Sequence, residues 1–440
     1  MNTIAVLCGY IIVLAFAVYT MFCFTAFRRK DKKKQDRVYG RQRVCIFIMH
    51  TICHGLLYMI EYDIRVIIMY VLQLLLFVLC IKIYQLIYKG LSKLILNNMI
   101  MLVMISLVML ERLNMDNAVR QMAMFAAGMG ACLLVPYLIK KFKYFDKLGW
   151  QYAILGIACL LAVLVFGVEK YGAKNWISVG GILIQPLEFV KIIYVFFMAA
   201  LLSKMTDFKH VVMVSVFAAL HVVILVLEKD LGGALIYFFT YMVVLVAASG
   251  NYLYMLAGFG AAVPASLAAY HLFSHVRKRV FAWLDPWSVI DDAGYQVAQS
   301  LFAIATGGWF GLGLGRGLPK IIPVVESDFI FAAIVEELGG VFAICILLVY
   351  VSCFIMIANI SMKINKPFYK LTALGLGVMF MFQVFVAVGG VTKFIPSTGV
   401  TLPLISYGGS SVLSTVMMFS IIQGMYVLNC EEVVEDEQAE

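Results

Sequence analysis

Charge is what this sequence has least of. Of its 440 residues only 13% are Asp, Glu, Lys or Arg, against about 25% in a soluble domain. Residues of the apolar set make up 63%, where about 45–50% is usual. That imbalance excludes an ordinary water-soluble globule. Paired cysteines are lacking too. The ten cysteines are Cys8, Cys23, Cys45, Cys53, Cys80, Cys132, Cys159, Cys345, Cys353 and Cys430. All but Cys430 lie inside apolar runs and no CxxC pair occurs, so they read as small apolar fillers rather than a disulfide frame or a thiolate metal site. Nor is a secretory leader expected. The first apolar run, about 4–26, is too long and has neither a basic n-region nor a small-residue cleavage site, so a retained helix is expected. The net charge is +9, but the basic residues fall in short loops between apolar runs, which is the pattern that orients membrane proteins. Nucleic acid is therefore excluded as a partner.

What is abundant is apolar sequence in blocks. The runs are roughly 18–25 residues long, enough to cross a hydrocarbon layer of about 30 Å. Segments in lipid must satisfy their own backbone groups, so these runs are helices. Thirteen are expected, at about 4–26, 44–61, 66–87, 94–111, 119–140, 149–167, 187–204, 209–227, 232–249, 252–274, 327–357, 369–391 and 405–428. The fold class is an all-α polytopic membrane protein. His50 and His54 are four apart on one helix face, a spacing that suits a metal, but only Cys53 lies near them in sequence. Packing between helices is the expectation for that pair.

Lysine and arginine set the orientation. Segment 28–43 carries Arg28, Arg29, Lys30, Lys32, Lys33, Lys34, Arg41 and Arg43, which marks it as cytoplasmic. Alternation then puts Lys89 and Lys93, Lys140 to Lys147, Lys204 and Lys209, and Lys363 to Lys370 on the same side. The amino terminus is expected outside and the carboxyl terminus inside. The acidic tail, 431–440, reads as disordered. The exception is the longest loop, about 275–326, which faces outward yet carries Arg277, Lys278, Arg279, Arg316 and Lys320. Either it meets an anionic ligand at the outer surface, or it translocates regardless of charge as long loops do.

The outward segments hold the unusual residues. Segment 171–191 contains Gly172, Lys174, Trp176, Gln185, Pro186, Glu188 and Lys191. Glu188 and Lys191 are three apart, share a helix face and can neutralise each other. Segment 228–233 places Glu228, Lys229 and Asp230 between two apolar runs, as a re-entrant turn or a surface hairpin. Segment 307–317, with Gly307, Gly308, Gly311, Gly313, Gly315 and Gly317, has no preceding strand and no Lys-Ser/Thr ending, so it is not a nucleotide loop. Close backbone packing or a membrane-dipping turn is expected there. The last outward loop contains Lys393, Pro396, Thr398, Gly399, Ser406, Tyr407, Gly408, Gly409 and Ser410. Its amides and hydroxyls can cradle phosphate or sugar, or it can be a structural plug.

Asp328 opens the eleventh run, and Glu336 and Glu337 follow within it. At about 1.5 Å per residue the glutamates lie about 12–14 Å below Asp328. Helical geometry sets Glu336 about 80° round from Asp328 and Glu337 on the opposite face, so the two are not expected to serve one site; hydrogen bonding between helices is the plain reading. Asp328 differs. It sits at the outer mouth, beside the basic loop, where a carboxylate can meet a polar substrate.

Taken together these segments resemble the FtsW, RodA and SpoVE family of shape, elongation, division and sporulation proteins. The matching stretches are Gly172-Ala173-Lys174-Asn175-Trp176-Ile177, Gln185-Pro186-Leu187-Glu188-Phe189-Val190-Lys191, Asp230-Leu231-Gly232, Asp285-Pro286-Trp287, Gly294-Tyr295-Gln296-Val297-Ala298-Gln299-Ser300, 327–331, Glu336-Glu337-Leu338-Gly339 and 396–411. They occur in family order. The resemblance implies a ten-helix core over 92–428, with 1–91 as an extension of about three further helices and 429–440 as a tail. It implies a glycosyltransferase that polymerises lipid II, with its undecaprenyl chain, into peptidoglycan on the outer face of the bacterial cytoplasmic membrane. It also implies a class B penicillin-binding protein as partner, with other divisome or elongasome membrane proteins. Asp328 matches the family's essential acidic residue. The sequence departs from the family at Asn175, where a basic residue is frequent, at Leu187, at Lys229 in place of a proline, at Glu326, and at Glu111-Arg112-Leu113.

The implied reaction is attack of an acceptor sugar hydroxyl on a lipid-linked donor, with a polyprenyl pyrophosphate leaving. A hydroxyl needs a base, and Asp328 is the candidate. Arg279, Arg316 and Lys320 are expected to neutralise the leaving group. A divalent cation, magnesium or manganese, can share that task with Asp328 as a ligand. The expected substrate-binding set is Lys174, Trp176, Glu188, Lys191, Arg279, Gln296, Gln299, Ser300, Arg316, Lys320, Lys393, Pro396, Thr398, Gly399, Ser406, Tyr407, Gly408, Gly409 and Ser410. Two rivals remain at this point. A lipid II flippase needs a polar path through to the cytoplasm, whereas these residues gather on one side. A silent scaffold would have no use for Asp328. The extension 1–91 reads as a docking or membrane-positioning unit whose loss would impair assembly more than chemistry.

Overall fold

The apolar runs become helices, and their polar punctuation becomes caps. The structure is a computed structural model that describes residues 2–439 except 30, 171, 172, 181 and 206. The extension forms α1 (Asn2–Arg28), α2 (Lys32–Glu61) and α3 (Ile64–Ile87). Asp31 and Asp63 cap α2 and α3 by accepting from the amides two residues on. Next come α4 (Lys93–Leu113), α5 (Met115–Cys132), α6 (Val135–Lys141) and α7 (Gly149–Phe166). A small antiparallel sheet follows, β1 (Val168–Lys170), β2 (Ala173–Val179) and β3 (Ile182–Ile184), paired in that order. The chain continues through α8 (Pro186–Leu202), α9 (Phe208–Leu227), α10 (Leu231–Ser249), α11 (Leu253–Leu272), α12 (Ser274–Leu284) and α13 (Tyr295–Gly307). It ends with α14 (Ile330–Lys363), α15 (Pro367–Val391) and α16 (Gly409–Ala439).

Among the described residues twelve helices are long and apolar enough to cross a membrane, with α5 and α6 counted as one span. The thirteenth expected span is α8, which has 17 residues and is roughly 26 Å long at the helical rise. Its interior is buried among its neighbours. Each of the thirteen expected runs therefore has its helix. Four details add to or differ from expectation. The basic stretch 32–43 is not a loop but the first turns of α2. The outward segment at 168–184 folds as a small sheet, and Gly172 of the family-like stretch lies outside the described residues. Loop 275–326 contains two helices. The acidic segment read as disordered continues α16 to Ala439, with no glycine or proline after Gly424 to stop it.

The centre of the bundle is α4, in which every residue from 94 to 111 is buried. Helix α1 packs on α2 and α14, α2 on α4, and α3 on α4 and α5. Around the rest of α4 stand α5, α14 and, through α14, α15. At the opposite extreme α11 has no buried residue and rests chiefly on α10 and α12. Ion pairs join loops expected on one side: Lys93 to Asp36 at 2.7 Å and Lys204 to Asp146 at 3.0 Å. We call this the basic end; the sheet and 396–411 lie at the other, the site end.

Helix α13 and the glycine loop after it dip along the upper half of α14. Gly339 has φ 88° and ψ 169°, which breaks α14 there. The carbonyls of Glu336 and Glu337 therefore lose their helical donors, Gly340 and Val341. Instead they accept from Leu312 N (2.9 Å) and Gly313 N (2.8 Å) of the loop. Gly340 N and Val341 N donate in turn to Gly308 O (2.8 Å) and Trp309 O (3.1 Å). The side chains join the same exchange: Glu337 Oε2 accepts from Gly315 N at 2.8 Å and Glu336 Oε1 from Leu318 N at 2.9 Å. Segment 307–317 thus packs its backbone closely against α14, the first of the two readings its glycines allowed. The expectation that Glu336 and Glu337 could not serve one site is corrected. A straight helix would set them on different faces, but the loop wraps round the break and meets both.

Candidate active site

Three segments at the site end converge on Asp328. The first is the turn just before α14. Ser327 Oγ donates to Asp328 Oδ1 at 2.9 Å. The second is 396–411, folded back on α15 through Phe394 N and Ile395 N, which both donate to Gly389 O. Lys393, Gly399 and Leu404 have positive φ, which allows the reversal. Tyr407 N donates to Glu326 O at 2.8 Å, and Ser406 Oγ donates to Ser327 O. From below, Ser106 Oγ of α4 donates to Ile405 O (2.7 Å) and Gln121 Nε2 of α5 to Ser406 O (2.8 Å). The third segment is α12, whose Arg279 donates through a terminal nitrogen to Ser397 O at 3.1 Å. A Cβ on Gly399 would lie 3.4 Å from Asp328 Oδ2 and 3.9 Å from Arg279 Nη2, so the glycine lets the loop pass close to both groups.

Two cavities share this wall. The larger, about 740 Å³, is bounded by α5, the sheet, the α9–α10 turn and 398–411. The smaller, about 260 Å³, lies between α12, the start of α13 and 397–399. Arg279, Val324, Asp328 and Gly399 line both. The larger volume falls in the range of small-molecule sites, about 300–1,000 Å³. Cations on the walls are Arg120, Lys229, Lys278 and Arg279; acids are Asp230, Glu326 and Asp328.

The electrostatics favour a carboxylate that can take a proton. Burial, the largest effect, raises the Asp328 carboxyl above its ordinary range, and the charge of Asp230 adds to the rise. The Ser327 hydrogen bond and the Arg279 charge oppose it. Asp230 is committed structurally: its Oδ1 accepts from Gly233 N at 2.7 Å to cap α10, and its Oδ2 accepts from Asn175 Nδ2 at 2.8 Å. Glu228, two residues earlier, is fully buried, and among the described residues neither of its carboxylate oxygens has a hydrogen-bond partner. Burial and then Asp230 push its carboxyl up to about 8. Segment 228–233 is therefore a tight buried turn, with Lys229 at φ 64°, not a surface hairpin.

Of the residues expected to bind substrate, Trp176, Arg279, Gln296, Thr398, Gly399, Tyr407, Gly408, Gly409 and Ser410 line a cavity. Others support it from behind. Lys191 donates to Glu188 at 2.7 Å and to Gln383 at 2.9 Å, Ser414 Oγ donates to Glu188 at 2.8 Å, and Gln383 Nε2 donates to Thr401 O at 3.0 Å. Thr401 lines the larger cavity, so the Glu188–Lys191 pair lies buried beneath its wall, as a floor. Ser406 works in the same way through Ser327. Lys174 is turned away, its Nζ donating to Leu164 O at 2.8 Å. Ser300 donates to Val391 O at 3.1 Å, and Lys393 O accepts from Trp283. Gln299 and Pro396 are on neither cavity wall. Nor are Arg316 and Lys320, whose loop bonds Glu337 through Gly315 N and Glu336 through Leu318 N; the cations lining the cavities beside Arg279 are Arg120, Lys229 and Lys278.

Sequence reasoning missed Asn117, Arg120, Gln121 and Met124, which line the larger cavity from α5. Their spacing of three and four residues was a visible signal, a polar stripe opening an apolar run. Asn175, noted only as a departure, lines the cavity and holds Asp230.

The sequence profile of the cell cycle protein family FtsW–RodA–SpoVE matches residues 91–428. The peptidoglycan glycosyltransferase RodA of Mycobacterium tuberculosis is 37% identical over 325 residues, covering 70% of this chain and 69% of the relative. A probable peptidoglycan glycosyltransferase FtsW of Shewanella sediminis is 36% identical over 273 residues, 59% of this chain and 65% of the relative. Among solved structures, one chain of a peptidoglycan synthase complex that coordinates polymerization and crosslinking superposes with a TM-score of 0.65 at 26% identity, covering 76% of this chain and 97% of that one. The rod shape determining protein RodA of Thermus thermophilus shares the fold, with a TM-score of 0.56 at 23% identity over 76% of this chain and 96% of that one. Residues 1–90 lie outside the family match.

Proposed function

The chain belongs to the FtsW, RodA and SpoVE family, and on that premise we propose that it is a peptidoglycan glycosyltransferase whose reacting carboxylate is Asp328. The observation that carries this is the shared wall: Asp328 and Arg279 border both cavities. An acceptor sugar in one and a lipid-linked donor in the other would meet at the carboxylate. Asp328 takes the proton of the acceptor hydroxyl. The oxygen forms its bond to the anomeric carbon from the face opposite the leaving group, so configuration inverts. The bond from that carbon to the pyrophosphate oxygen breaks, and the electron pair leaves with undecaprenyl pyrophosphate. Arg279 faces that developing charge, aided by Lys278, Arg120 and Lys229.

The donor set also fits a divalent cation, magnesium or manganese. Such ions are held by one or two carboxylates, with phosphate oxygens and water completing the shell. Among the described residues no three His, Cys, Asp or Glu side chains are placed to form a protein-only cage. Asp328 is then the protein ligand; Asn175 Oδ1 and Thr398 Oγ1, both buried and without a partner among the described residues, belong to residues lining the same cavity. When bound, the ion supplies charge neutralisation for the leaving pyrophosphate.

The site end is the extracytoplasmic face of the cytoplasmic membrane in this reading, because the basic loops gather at the other end. The buried floor of Glu188, Lys191, Gln383 and Ser414 speaks for a polymerase rather than a flippase. The similarity to a chain from a polymerization and crosslinking complex supports a class B penicillin-binding protein as partner. The test is Asp328→Asn, which keeps shape and removes the base. Polymerisation of lipid II is expected to fall about 10²–10⁴-fold, with folding and partner binding retained. An Asp328→Asn protein that polymerises at the parent rate would refute the assignment.

A further inference from the structure

The extension and the core meet in a buried polar cluster that the site does not use. It contains His50 and His54 of α2, Gln73 of α3 and Glu111 of α4, each no more than 3% exposed. His50 Nε2 faces Gln73 Oε1 at 3.1 Å, Gln73 Nε2 donates to Glu111 Oε1, and His54 Nε2 lies 3.3 Å from the same oxygen. His54 Nδ1 lies 2.8 Å from His50 O. A carbonyl only accepts, so Nδ1 carries a proton. The Nε2 contact with Glu111 then requires a second proton, on one partner or the other. The pair is therefore neutral as a unit, which is the form a buried pair can adopt in lipid. Two features that were separate in the sequence, the histidine pair of the extension and the departure at Glu111, prove to be one joint.

That joint abuts the machinery that sets Asp328. Arg112, the next residue, lies with Nε 3.2 Å from Glu337 Oε1, and its Nη2 reaches Gly315 O (3.4 Å) and Gly317 O (3.2 Å). Two helices of the extension touch the same loop. The Tyr10 and Phe310 rings pack edge to face at 5.8 Å, and a Cβ on Gly315 would stand 2.6 Å from Ile60 Cδ1. The loop runs on through Leu318 to the turn that carries Asp328.

We infer that the Glu111–His54–Gln73 joint makes residues 1–91 part of the catalytic unit: it holds the outer end of α4, with Arg112 and the glycine loop, where the Asp328 turn needs them. Glu111 and His54 are positioning residues. The inference rests on Asp328 being the reacting carboxylate, and it replaces the expectation that loss of the extension would impair assembly more than chemistry.

The test uses the full-length protein reconstituted with lipid II. Glu111→Gln keeps an acceptor for Gln73 and can exchange a hydrogen bond with His54; Glu111→Leu can do neither. With rates normalised to folded protein, Glu111→Leu is expected to lower kcat about 10–100-fold, the scale of a displaced reacting group, with KM for lipid II within about twofold of the parent. Glu111→Gln is expected to restore at least half of the parent kcat. If Glu111→Leu does not fold, His54→Leu/Glu111→Leu carries the comparison, because neither of those partners is left buried alone. Parent kcat in the leucine protein, a loss confined to KM, or no rescue by glutamine overturns the inference. Asp328→Asn, measured alongside, separates failure of the joint from failure of the site: an active Asp328→Asn protein refutes the site whatever the Glu111 series shows.

Discussion

Replacing Gly339 with alanine should uncouple the glycine loop from α14 while leaving the helix intact. The added Cβ would lie 2.4 Å from Gly311 N and 2.5 Å from both Phe310 C and Trp309 O. These are backbone atoms and cannot rotate away. The φ of 88° is also one that alanine rarely adopts. The cheapest relief is for α14 to straighten, since Gly340 N and Val341 N then donate to Glu336 O and Glu337 O as in any helix. The loop has no such recourse. Gly308 O, Trp309 O, Leu312 N and Gly313 N lose their partners together. At about 1–3 kcal/mol for each buried unsatisfied group, the total is roughly 4–12 kcal/mol if the loop stays in place. That rivals the whole stability of a typical domain, about 5–15 kcal/mol, so the loop leaves. Lipid II polymerisation should fall at least tenfold, on the order of the loss from a displaced reacting group, with most helical circular dichroism retained. Gly260→Ala, which would meet nothing within 4 Å, is the control. A Gly339→Ala protein with the parent's rate and melting curve would refute the hydrogen-bond exchange as the loop's anchor.

Cysteines placed at Ala293 and Lys34 should label oppositely with an impermeant reagent applied from outside, the first reacting and the second not; the reverse pattern overturns the orientation. Glu228 should make stability fall with pH. Its carboxyl is raised to about 8 in the folded chain, so the stabilisation is complete below the ordinary range near 4.5 and is lost as pH rises toward 8. The melting temperature of the parent, measured relative to Glu228→Gln, should therefore drop between pH 5 and pH 8.5, and a constant difference would contradict the buried, unpartnered placement. A cognate class B penicillin-binding protein should co-purify with the chain and raise its polymerase rate, and full activity unchanged by any cognate partner would count against that pairing.

The long apolar runs made the helices legible, because period and length say the same thing in lipid. Even α8, one of the shortest spans, was readable from the apolar stretch after Gln185-Pro186. What could not be read were contacts made by backbone. The sheet at 168–184 joins strands of three to seven residues, too short to show a period. The exchange at Gly339 depends on which amides face which carbonyls, and composition is silent on that. Glu336 and Glu337 were set apart because a straight helix was assumed. Within the site, Asp328, Arg279 and the 398–410 loop were found because they are polar residues at membrane mouths. Arg316 and Lys320 share that property and were misplaced for the same reason, since charge in a loop does not reveal which way the loop folds. Glu188 and Lys191 were recognised as mutually neutralising, but only packing showed them to be the floor.

The burial of α4 has a consequence for how the chain enters the membrane. Its polar groups are poor company for lipid, and each must find a partner. Asn97 donates to Tyr39 O and to Gln42, Asn98 accepts from Tyr19, and Glu111 accepts from Gln73 and faces His54. All of these partners lie on α1 to α3, which leave the ribosome before α4 does. The amino-terminal helices therefore form a receiving half-socket, already in the bilayer when α4 arrives. Other bonds, among them those from Asn98 to Ser352 and from Ser106 to Ile405 O, close over α4 only once α14 and the loop before α16 have been made. Order of synthesis and order of burial then coincide along the axis of the bundle.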